Sequence, residues 1–359
     1  MKRSIPLTAT IFITDKCNLA CKYCYEANKQ YNKNTVDNID KFIDILYSDK
    51  RYSKFDSIIL DFIGGEALLE TDLMAHAINK FVEVGTRLKH PWITEHRFQC
   101  FTTSNGTLFS IPKVKKFLED YPCITVGLSL DGCKKAHDMN RVHPDGKGSY
   151  DEILKNLQWW RHRYAQVLVK GTMNRDTLPM LGDMLINQIQ LGFQPWANPI
   201  YEEHWTKEDA EEYYRQLRKV IDFVFHRKLY TKVRPIGRPR PIKEESLNME
   251  VGYCGSGAFM VTLGMDGKLY PCHRFATSTN HKYSIGDVDH GVDEELFRKF
   301  REGQIRINKQ MGNTKLPLCY SANYDINGTF DYGCNEEIMT EQEYKAYDYW
   351  NERMRGVKL

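Results

Sequence analysis

Short apolar runs alternate with amphipathic segments along the first two-thirds of the chain. Apolar runs of strand length predict six β-strands, at 7–13, 57–63, 96–102, 124–130, 167–173 and 193–200. Apolar residues at helical spacing predict the intervening helices, at 36–47, 71–89, 112–120, 150–164 and 178–191. Strands that alternate with helices indicate a parallel α/β fold, and six such units make an incomplete (β/α) barrel.

The remaining third has a different character. A charged helix is predicted at 206–228, followed by a basic, proline-rich stretch at 232–243 that contains no acidic residue. Beyond 251, glycines, aromatics and spaced cysteines predict a β-hairpin at 260–263 and 269–270, and helices at 293–302 and 340–355. We therefore predict a barrel domain at 1–230, a linker at 231–250 and a smaller cysteine-rich domain at 251–359. Thr71 and Ser149 are the predicted caps of two helices.

Charge and hydropathy exclude some classes of protein. The 359 residues carry 50 Lys and Arg against 47 Asp and Glu, which argues against a bulk nucleic-acid-binding protein. No apolar run approaches the length of a membrane span, and the amino terminus lacks the apolar core of a signal peptide. We predict a cytoplasmic protein with no membrane partner, in which cysteines serve as metal ligands more often than as disulfides.

The cysteines form two ligand-like groups. Cys17, Cys21 and Cys24 make a C-x3-C-x2-C run directly after the first predicted strand. Three thiolates suit an iron–sulfur cluster in which the fourth iron stays open to a small molecule. A tetrahedral zinc site would need a fourth protein ligand, and no histidine lies nearby. The remaining Cys100, Cys123 and Cys133 are predicted to be buried apolar thiols, leaving the second group for the carboxyl-terminal region.

The run, with an aromatic Tyr23 before its last cysteine, resembles the radical S-adenosylmethionine (SAM) enzymes. The resemblance implies a partial (β/α)6 radical SAM barrel and a [4Fe–4S] cluster whose open iron binds SAM. It also implies that SAM is cleaved to a 5′-deoxyadenosyl radical, which abstracts hydrogen from the substrate.

Two further segments match the family after successive strands. Gly64-Gly65-Glu66 is similar to the GGE segment that holds the amino group of SAM, with Ala67 where the family often has proline. The paired glycines would let the backbone approach a ligand closely. Thr103 to Leu108 contains Asn105 and resembles the family's S/T-N-G-T-L segment, so we expect Asn105 near the cofactor.

A longer composite runs from the fourth predicted strand to the next helix. It contains Ser129-Leu-Asp131-Gly, then His-Asp-x-x-Arg141, then Gly-Ser-Tyr. The composite resembles radical SAM enzymes that modify peptides and proteins, including anaerobic sulfatase maturases. The resemblance implies that Ser129, Asp131 and Arg141 bind the cofactor and that Tyr23 packs near the adenine. A guanidinium suits the carboxylate of SAM because it binds in a two-pronged geometry.

The second cysteine group consists of Cys254, Cys272, Cys319 and Cys334. Its opening resembles the auxiliary-cluster domain called SPASM or, in its shorter form, Twitch. Because the chain has four cysteines there, we predict one auxiliary [4Fe–4S] cluster with no open iron; a structural zinc is the alternative. His273 stands where sulfatase maturases carry an acidic residue, and we predict it as a general base.

These features predict a maturase of a ribosomally synthesised peptide (RiPP) that installs a thioether or carbon–carbon crosslink. The alternatives are an anaerobic sulfatase-maturating enzyme that forms formylglycine, a small-molecule radical SAM dehydrogenase and a non-catalytic cluster-bearing scaffold. The expected partners are a precursor peptide and a reductant such as flavodoxin or ferredoxin. Because the cysteine run begins at position 17, we expect the precursor's leader to bind elsewhere, on a separate protein, the basic linker or a sheet edge.

Overall fold

The computed structural model describes residues 5–26, 29–164, 169–237, 254–277, 281–310, 319–331 and 337–357. Its strands are β1 Leu7–Thr14, β2 Ile58–Gly64, β3 Phe98–Ser104, β4 Ile124–Ser129, β5 Val169–Met173, β6 Ala197–Pro199, β7 Met260–Leu263, β8 Lys268–Tyr270, β9 Gly286–Asp287 and β10 Gly291–Val292. Its helices are α1 Val36–Ser48, α2 Lys50–Ser53, α3 Thr71–Arg87, α4 Pro91–Thr94, α5 Pro112–Asp120, α6 Lys134–Asn140, α7 Tyr150–Arg163, α8 Leu181–Gln190, α9 Lys207–His226, α10 His273–Thr277, α11 Glu294–Gln310, α12 Tyr320–Asn327 and α13 Glu337–Arg355.

The first six strands are parallel and follow one another across the sheet in chain order. Right-handed crossovers in a sheet of this order place every connecting helix on the same face. That face packs against the helices and is called the outer face; the opposite face is called the inner face. The predicted α/β fold with a parallel sheet of six β/α units is confirmed.

The predicted carboxyl-terminal hairpin is confirmed, and it extends the barrel sheet. β7 pairs parallel with β1, through Thr8 with Met260 and Ile11 with Leu263, and β8 returns antiparallel beside β7. The sheet is therefore continuous from the cysteine-rich region into the barrel. The proposed domain boundaries remain a prediction.

Alternation along the strands separates the two faces. Leu60 on β2, Cys100 on β3 and Val169 on β5 are buried in the main core between the outer face and the helices. A second core joins α8, α9 and α13, and it includes Val233 and Ile236 from the predicted linker. Burial of apolar surface by α13 therefore holds the end of the chain against the barrel helices. Most of that linker lies outside the described residues.

Several local predictions were wrong. Thr71 is the buried first residue of α3, because the turn Ala67–Glu70 runs directly into the helix without an extended cap residue. Of the three remaining cysteines, Cys100 is buried, but Cys123 and Cys133 are only half-buried.

None of the helices within the described ranges combines the length and apolar character that a bilayer crossing needs.

Candidate active site at the strand ends

The loop with the first cysteine group follows β1 and is held on one side by the end of β2. The Gly65 N–H donates to the Thr14 carbonyl at 2.8 Å, and the Glu66 N–H donates to the Lys16 carbonyl at 2.8 Å. A Cβ at Gly65 would lie 2.4 Å from the Lys16 carbonyl oxygen, which no side chain tolerates. The glycine is therefore required by close approach to the cysteine loop itself, whereas the sequence suggested approach to a ligand.

The other side of the loop pairs with the segment after α6. The Ala20 N–H donates to the Val142 carbonyl at 2.7 Å, and the Lys22 N–H donates to the Asn140 carbonyl at 2.9 Å. Backbone bonds from two different parts of the chain therefore fix the loop between Cys17 and Cys24. These backbone bonds position the three cysteines without any contribution from the cysteine side chains.

Glu66 and Asn105 close the site between β2 and β3. The Glu66 carboxylate is buried and accepts the Asn105 N–H at 2.8 Å. The Asn105 side chain donates to Asn18 Oδ1 at 2.8 Å and lies 3.9 Å from Cys17 Sγ. Burial raises the pKa of Glu66 to about 7 because a charged carboxylate is costly away from water. The structure thus brings these two predicted residues together beside the cysteine loop.

Asp131 joins three predicted residues into one network. Its Oδ1 accepts a hydrogen bond from Arg141 Nε at 3.0 Å and from the Thr172 N–H at 3.0 Å, and its Oδ2 accepts from the Tyr23 hydroxyl. The Arg141 guanidinium also lies 5.3 Å from the centroid of the Tyr23 ring. Asp131 is completely buried. It therefore fixes both the aromatic ring in the cysteine loop and the guanidinium.

Ser129 lies at the end of β4, on the inner face, with Lys170 of β5 as its register partner. Only Leu130 separates it along the chain from Asp131 and the network described above. The predicted cofactor-binding residues lie at the carboxyl ends of β2 and β4 or in the segments that follow β1 to β4, with Arg141 directly after α6, as expected for a barrel enzyme.

His137 was not singled out as a site residue, and it orders the loop around Asp131. Its Nδ1 faces the Asp131 N–H at 3.3 Å, and its Nε2 lies 3.0 Å from the Ser149 hydroxyl. Ser149 in turn donates to the Arg141 carbonyl at 2.8 Å. Burial lowers the pKa of His137 to about 4, so the ring is neutral and bridges two neighbours.

The predicted cap Ser149 does not cap α7. Asp138 does so instead, because its Oδ1 accepts the Tyr150 N–H at 2.9 Å. A Cβ at Gly148 would lie 2.1 Å from Asp138 Cγ, so glycine is needed for this carboxylate to reach the helix. The spacing of the composite motif is thus explained by a turn that presents Arg141. In the sequence, the histidine, aspartate and glycine that precede the helix could have indicated this turn.

The thiols of the first group lie in a partly buried setting beside a lysine. Burial raises the pKa of Cys17 to about 11 and also raises the pKa of Cys24, while the Lys29 ammonium opposes both shifts. Lys29 interacts electrostatically with all three thiols, and these interactions raise its own pKa against the effect of burial. Burial outweighs the lysine, so in the cofactor-free protein these two thiols are protonated, and Lys29 supplies the nearby positive charge that favours their thiolate forms.

Three of the four carboxyl-terminal cysteines are described. Cys254 precedes β7, Cys272 follows β8, and Cys319 accepts the Ala322 N–H at 3.5 Å at the start of α12. Burial raises the pKa of Cys254, and the charges of Cys272 and Cys319 raise it further. The three thiols are therefore neighbours. Cys334 lies outside the described residues.

Arg274 connects the two cysteine regions. Its guanidinium forms an ion pair with Glu202 and lies 5.0 Å from the ring centroid of Tyr25, the residue after Cys24. It also interacts with the Cys319 thiol. Arg274 therefore packs against the first cysteine loop, while its charge acts on the second cysteine group.

His273 lies beside Arg274, and its Nδ1 is buried without a hydrogen-bond partner in the described part of the chain. Burial lowers its pKa to about 3, so the ring is neutral. A cavity of about 500 Å³ lies between the two regions, with Glu26 and Lys29 on one side and Met265 and Thr277 on the other.

The donor sets of both regions consist of thiols, and thiolates are the ligands of iron–sulfur clusters. Within the described ranges, no three Cys, His, Asp or Glu side chains converge closely enough to hold one metal ion, and Cys334 lies outside those ranges. For the second group, zinc is still the alternative to a cluster.

Comparison with known families identifies the segment that contains the first cysteine group. Residues 11–174, which contain the cysteine loop and the strand ends described above, match the Radical SAM superfamily. The chain carries a radical SAM domain. The prediction of a radical SAM enzyme is therefore confirmed, together with SAM and a [4Fe–4S] cluster, the cofactors that define the superfamily.

The relatives of this radical SAM enzyme extend beyond that domain. The cysteine-type anaerobic sulfatase-maturating enzyme of Clostridium novyi is 23% identical and aligns over 93% of this chain and 92% of its own length. The structure of anSMEcpe with bound AdoMet and Kp18Cys peptide superposes with a TM-score of 0.69 at 18% identity, covering 98% of this chain and 99% of that chain. Streptococcus suis SuiB bound to precursor peptide SuiA gives a TM-score of 0.54 at 16% identity, covering 83% and 67%. The shared fold therefore includes the carboxyl-terminal region.

Proposed function

We propose that this radical SAM enzyme is a maturase that acts on a peptide. The observation that carries the proposal is the proximity of the two cysteine regions: the Arg274 guanidinium lies over the Tyr25 ring of the first loop, and its charge acts on Cys319 of the second group. Similarity along nearly the whole chain to a sulfatase-maturating enzyme, and in fold to SuiB with its precursor peptide, supports a peptide substrate.

In this proposal Cys17, Cys21 and Cys24 would hold the cluster that binds SAM. When bound, the cluster and SAM supply a radical that takes one hydrogen atom from the substrate. The chain itself positions and shields the reactants. Glu66 would receive the amino group of SAM, and Arg141 would receive the carboxylate with the guanidinium nitrogens that Asp131 leaves unused.

The second region would hold one auxiliary [4Fe–4S] cluster on Cys254, Cys272, Cys319 and Cys334. The three described thiols interact electrostatically with one another, and four thiolates fully ligate one [4Fe–4S] cluster. A cluster fully ligated by protein has no open iron for the substrate. Its role would be to accept the electron that remains after hydrogen abstraction.

The preferred reaction is crosslinking. A thioether forms when one carbon–hydrogen and one sulfur–hydrogen bond are replaced by one carbon–sulfur bond. For this the peptide must give up one hydrogen atom, one proton and one electron; bound SAM would supply the acceptor of the hydrogen atom, a base of the chain would take the proton, and the second cluster would supply the acceptor of the electron. His273 is the predicted base: its buried Nδ1 accepts no hydrogen bond from the described residues, but its lowered pKa makes the ring a weak proton acceptor in the peptide-free protein.

Formylglycine formation is the second candidate, favoured by the full-length similarity to the Clostridium novyi enzyme. A cysteine side chain would lose its sulfur and two hydrogens and gain one oxygen from water. The sulfatase maturases carry an acid at the position of His273, and this difference favours crosslinking. The two reactions change the mass of the peptide differently.

Anaerobic incubation with SAM and a chemical reductant tests the proposal. The peptides are those encoded next to this gene and the Kp18Cys peptide. Loss of two hydrogens per crosslink, seen by mass spectrometry, supports crosslinking, whereas exchange of sulfur for oxygen supports formylglycine formation. Cleavage of SAM with no change in any peptide, together with turnover of a small molecule, would overturn the peptide proposal.

The proposed physiological electron donor is a flavodoxin or ferredoxin. A cytoplasmic location, and the absence of nucleic-acid and membrane partners, also remain predictions. Replacement of the chemical reductant by reduced flavodoxin in the same assay tests the first of these. Continued product formation is the expected result.

A further inference from the structure

The inner face of the barrel carries two opposite charges that the radical SAM site does not use. Asp61 on β2 is flanked in register by Thr10 of β1 and Phe101 of β3. Lys170 on β5 follows Val169, which is buried in the outer-face core. Because side chains alternate along a strand, Asp61 and Lys170 both project from the inner face.

Both charges have only neutral close partners in the described part of the chain. The Thr10 hydroxyl donates to Asp61 Oδ2 at 3.4 Å. Lys170 Nζ donates to the Thr103 hydroxyl at 3.1 Å and lies 5.4 Å from the centroid of the Phe101 ring. Phe101 is the register neighbour of Asp61, so the ammonium reaches over this ring towards the carboxylate.

Asp61 and Lys170 are close but do not form an ion pair within 4.0 Å in the described structure. Burial raises the pKa of Asp61 to about 6, and the Lys170 ammonium opposes this shift. Asp61 is half-buried and Lys170 is exposed, so both charged groups can be reached by a ligand. Because neither has an oppositely charged partner within 4.0 Å among the described residues, each keeps hydrogen-bonding capacity for a third group.

We propose that Asp61 and Lys170 together bind one backbone amide of the peptide substrate, the N–H at the carboxylate and the C=O at the ammonium. This inference rests on the proposed peptide function and specifies how that substrate is held. The pair has no net charge, so an anionic ligand is repelled by Asp61 and a cationic ligand by Lys170. A peptide group offers one donor and one acceptor, which matches the pair.

The location suits such a role. Lys170 is the register partner of Ser129, which belongs to the predicted SAM-binding set. The Lys170 charge also acts on His273, so the carboxyl-terminal region faces the same space. A peptide group bound here would place the adjacent side chain between the cofactor-binding strand ends and the second cysteine region.

The test measures binding of the Kp18Cys peptide to the anaerobic, cluster-loaded protein in the presence of SAM. Asp61→Asn and Lys170→Met are each expected to raise Kd about 10- to 100-fold, as for loss of a hydrogen bond to a charged group. The double variant should have a Kd only slightly higher than that of the single variant that binds the peptide more weakly, because both residues hold the same peptide group. Lys147→Met, which removes an exposed lysine, is the matched control and should bind normally.

Backbone N-methylation of the peptide separates an amide clamp from a general structural effect. Methylation of one particular backbone nitrogen should raise the Kd of the peptide for the wild type. The same methylation should not raise the Kd of the Asp61→Asn variant any further. Iron content and peptide-independent cleavage of SAM should stay unchanged in each variant, which shows that the barrel is intact.

The outcomes are distinguishable. Unchanged peptide affinity in Asp61→Asn and Lys170→Met, or N-methyl sensitivity that persists in Asp61→Asn, would overturn the clamp and leave the peptide function standing. If the wild type cleaves SAM but binds neither this peptide nor those encoded beside the gene, both proposals fail together.

Discussion

The two cysteine regions are built in different ways. The first loop is held by backbone hydrogen bonds from the end of β2 and from the segment after α6. The second collects Cys254, Cys272 and Cys319 from separate elements that pack through an aromatic cluster around Phe275, whose members include Tyr283, Phe300, Tyr324 and Phe330. A local motif fixed by the backbone is thus paired with a dispersed site assembled by side-chain packing.

This difference teaches where each region is vulnerable. Backbone bonds remain when a cysteine is replaced, so the first loop should keep its course without its thiols. The aromatic cluster buries apolar surface that is independent of the cysteines as well. Each site can therefore be emptied without destroying the fold, which allows the roles of the two regions to be measured separately.

The largest expected effect comes from removing the thiols of one region at a time. Replacement of Cys17, Cys21 and Cys24 by alanine should lower the iron content from about eight to about four per chain and abolish SAM cleavage. Replacement of Cys254 and Cys272 should also remove about four irons but leave SAM cleavage in place. Iron and sulfide analysis with quantification of 5′-deoxyadenosine checks both outcomes.

A wild-type content of about four irons that falls to none in the triple variant would contradict the comparison, because the second region would then hold zinc or no metal. Zinc analysis of the same samples decides between these two. Cys133→Ser is the control, because Cys133 belongs to neither group. This variant should leave the iron content unchanged.

Gly65→Ala should have the next largest effect, because the new Cβ would lie 2.4 Å from the Lys16 carbonyl oxygen. Relief of that contact must move the cysteine loop, at a cost of at least about 2 kcal/mol in the free energy of unfolding. Chemical denaturation and SAM cleavage are measured together. Gly356→Ala is the control, since its nearest neighbour would lie at 3.6 Å; equal behaviour of the two variants would show that the loop is not held as described.

Asp131→Asn should weaken SAM binding and leave the cluster in place. The substitution removes the charge that faces the nearly buried Arg141, and an unpaired buried charge costs about 3–5 kcal/mol. The Kd for SAM is expected to rise while the iron content is unchanged. Asp151→Asn, at an exposed ion pair with Lys134, should change neither quantity. Unaltered SAM affinity in Asp131→Asn would remove Asp131 from the cofactor site.

The smallest effect is a pH dependence due to Glu66. Its pKa is about 7 in the folded protein, against an ordinary value of 4.5, so between these values the folded state binds more protons than the unfolded state. The stability of the cofactor-free protein should therefore fall as the pH rises from 4.5 to about 7. Denaturant unfolding of wild type and Glu66→Gln checks this, since the variant should show a flatter profile.

Local patterns predicted much of this molecule. The alternation of apolar runs with amphipathic segments identified the six barrel strands, because burial of the outer face imposes this alternation residue by residue. The C-x3-C-x2-C run and the composite ending at Arg141 identified the family, because closely spaced ligands must lie on one short loop. In the carboxyl-terminal region the hairpin was predicted, but its pairing with β1 was not.

By itself, the sequence determined the repeating elements and the ligand-rich loop, since both depend on residues close together along the chain. Only the tertiary structure decided that Asp131 joins Tyr23 to Arg141 across more than a hundred residues, and that Asp138 rather than Ser149 caps α7. It also decided that Asp61 and Lys170 share the inner face. Strand alternation restricts each side chain to one of two faces, but strand order and register determine which charges meet there.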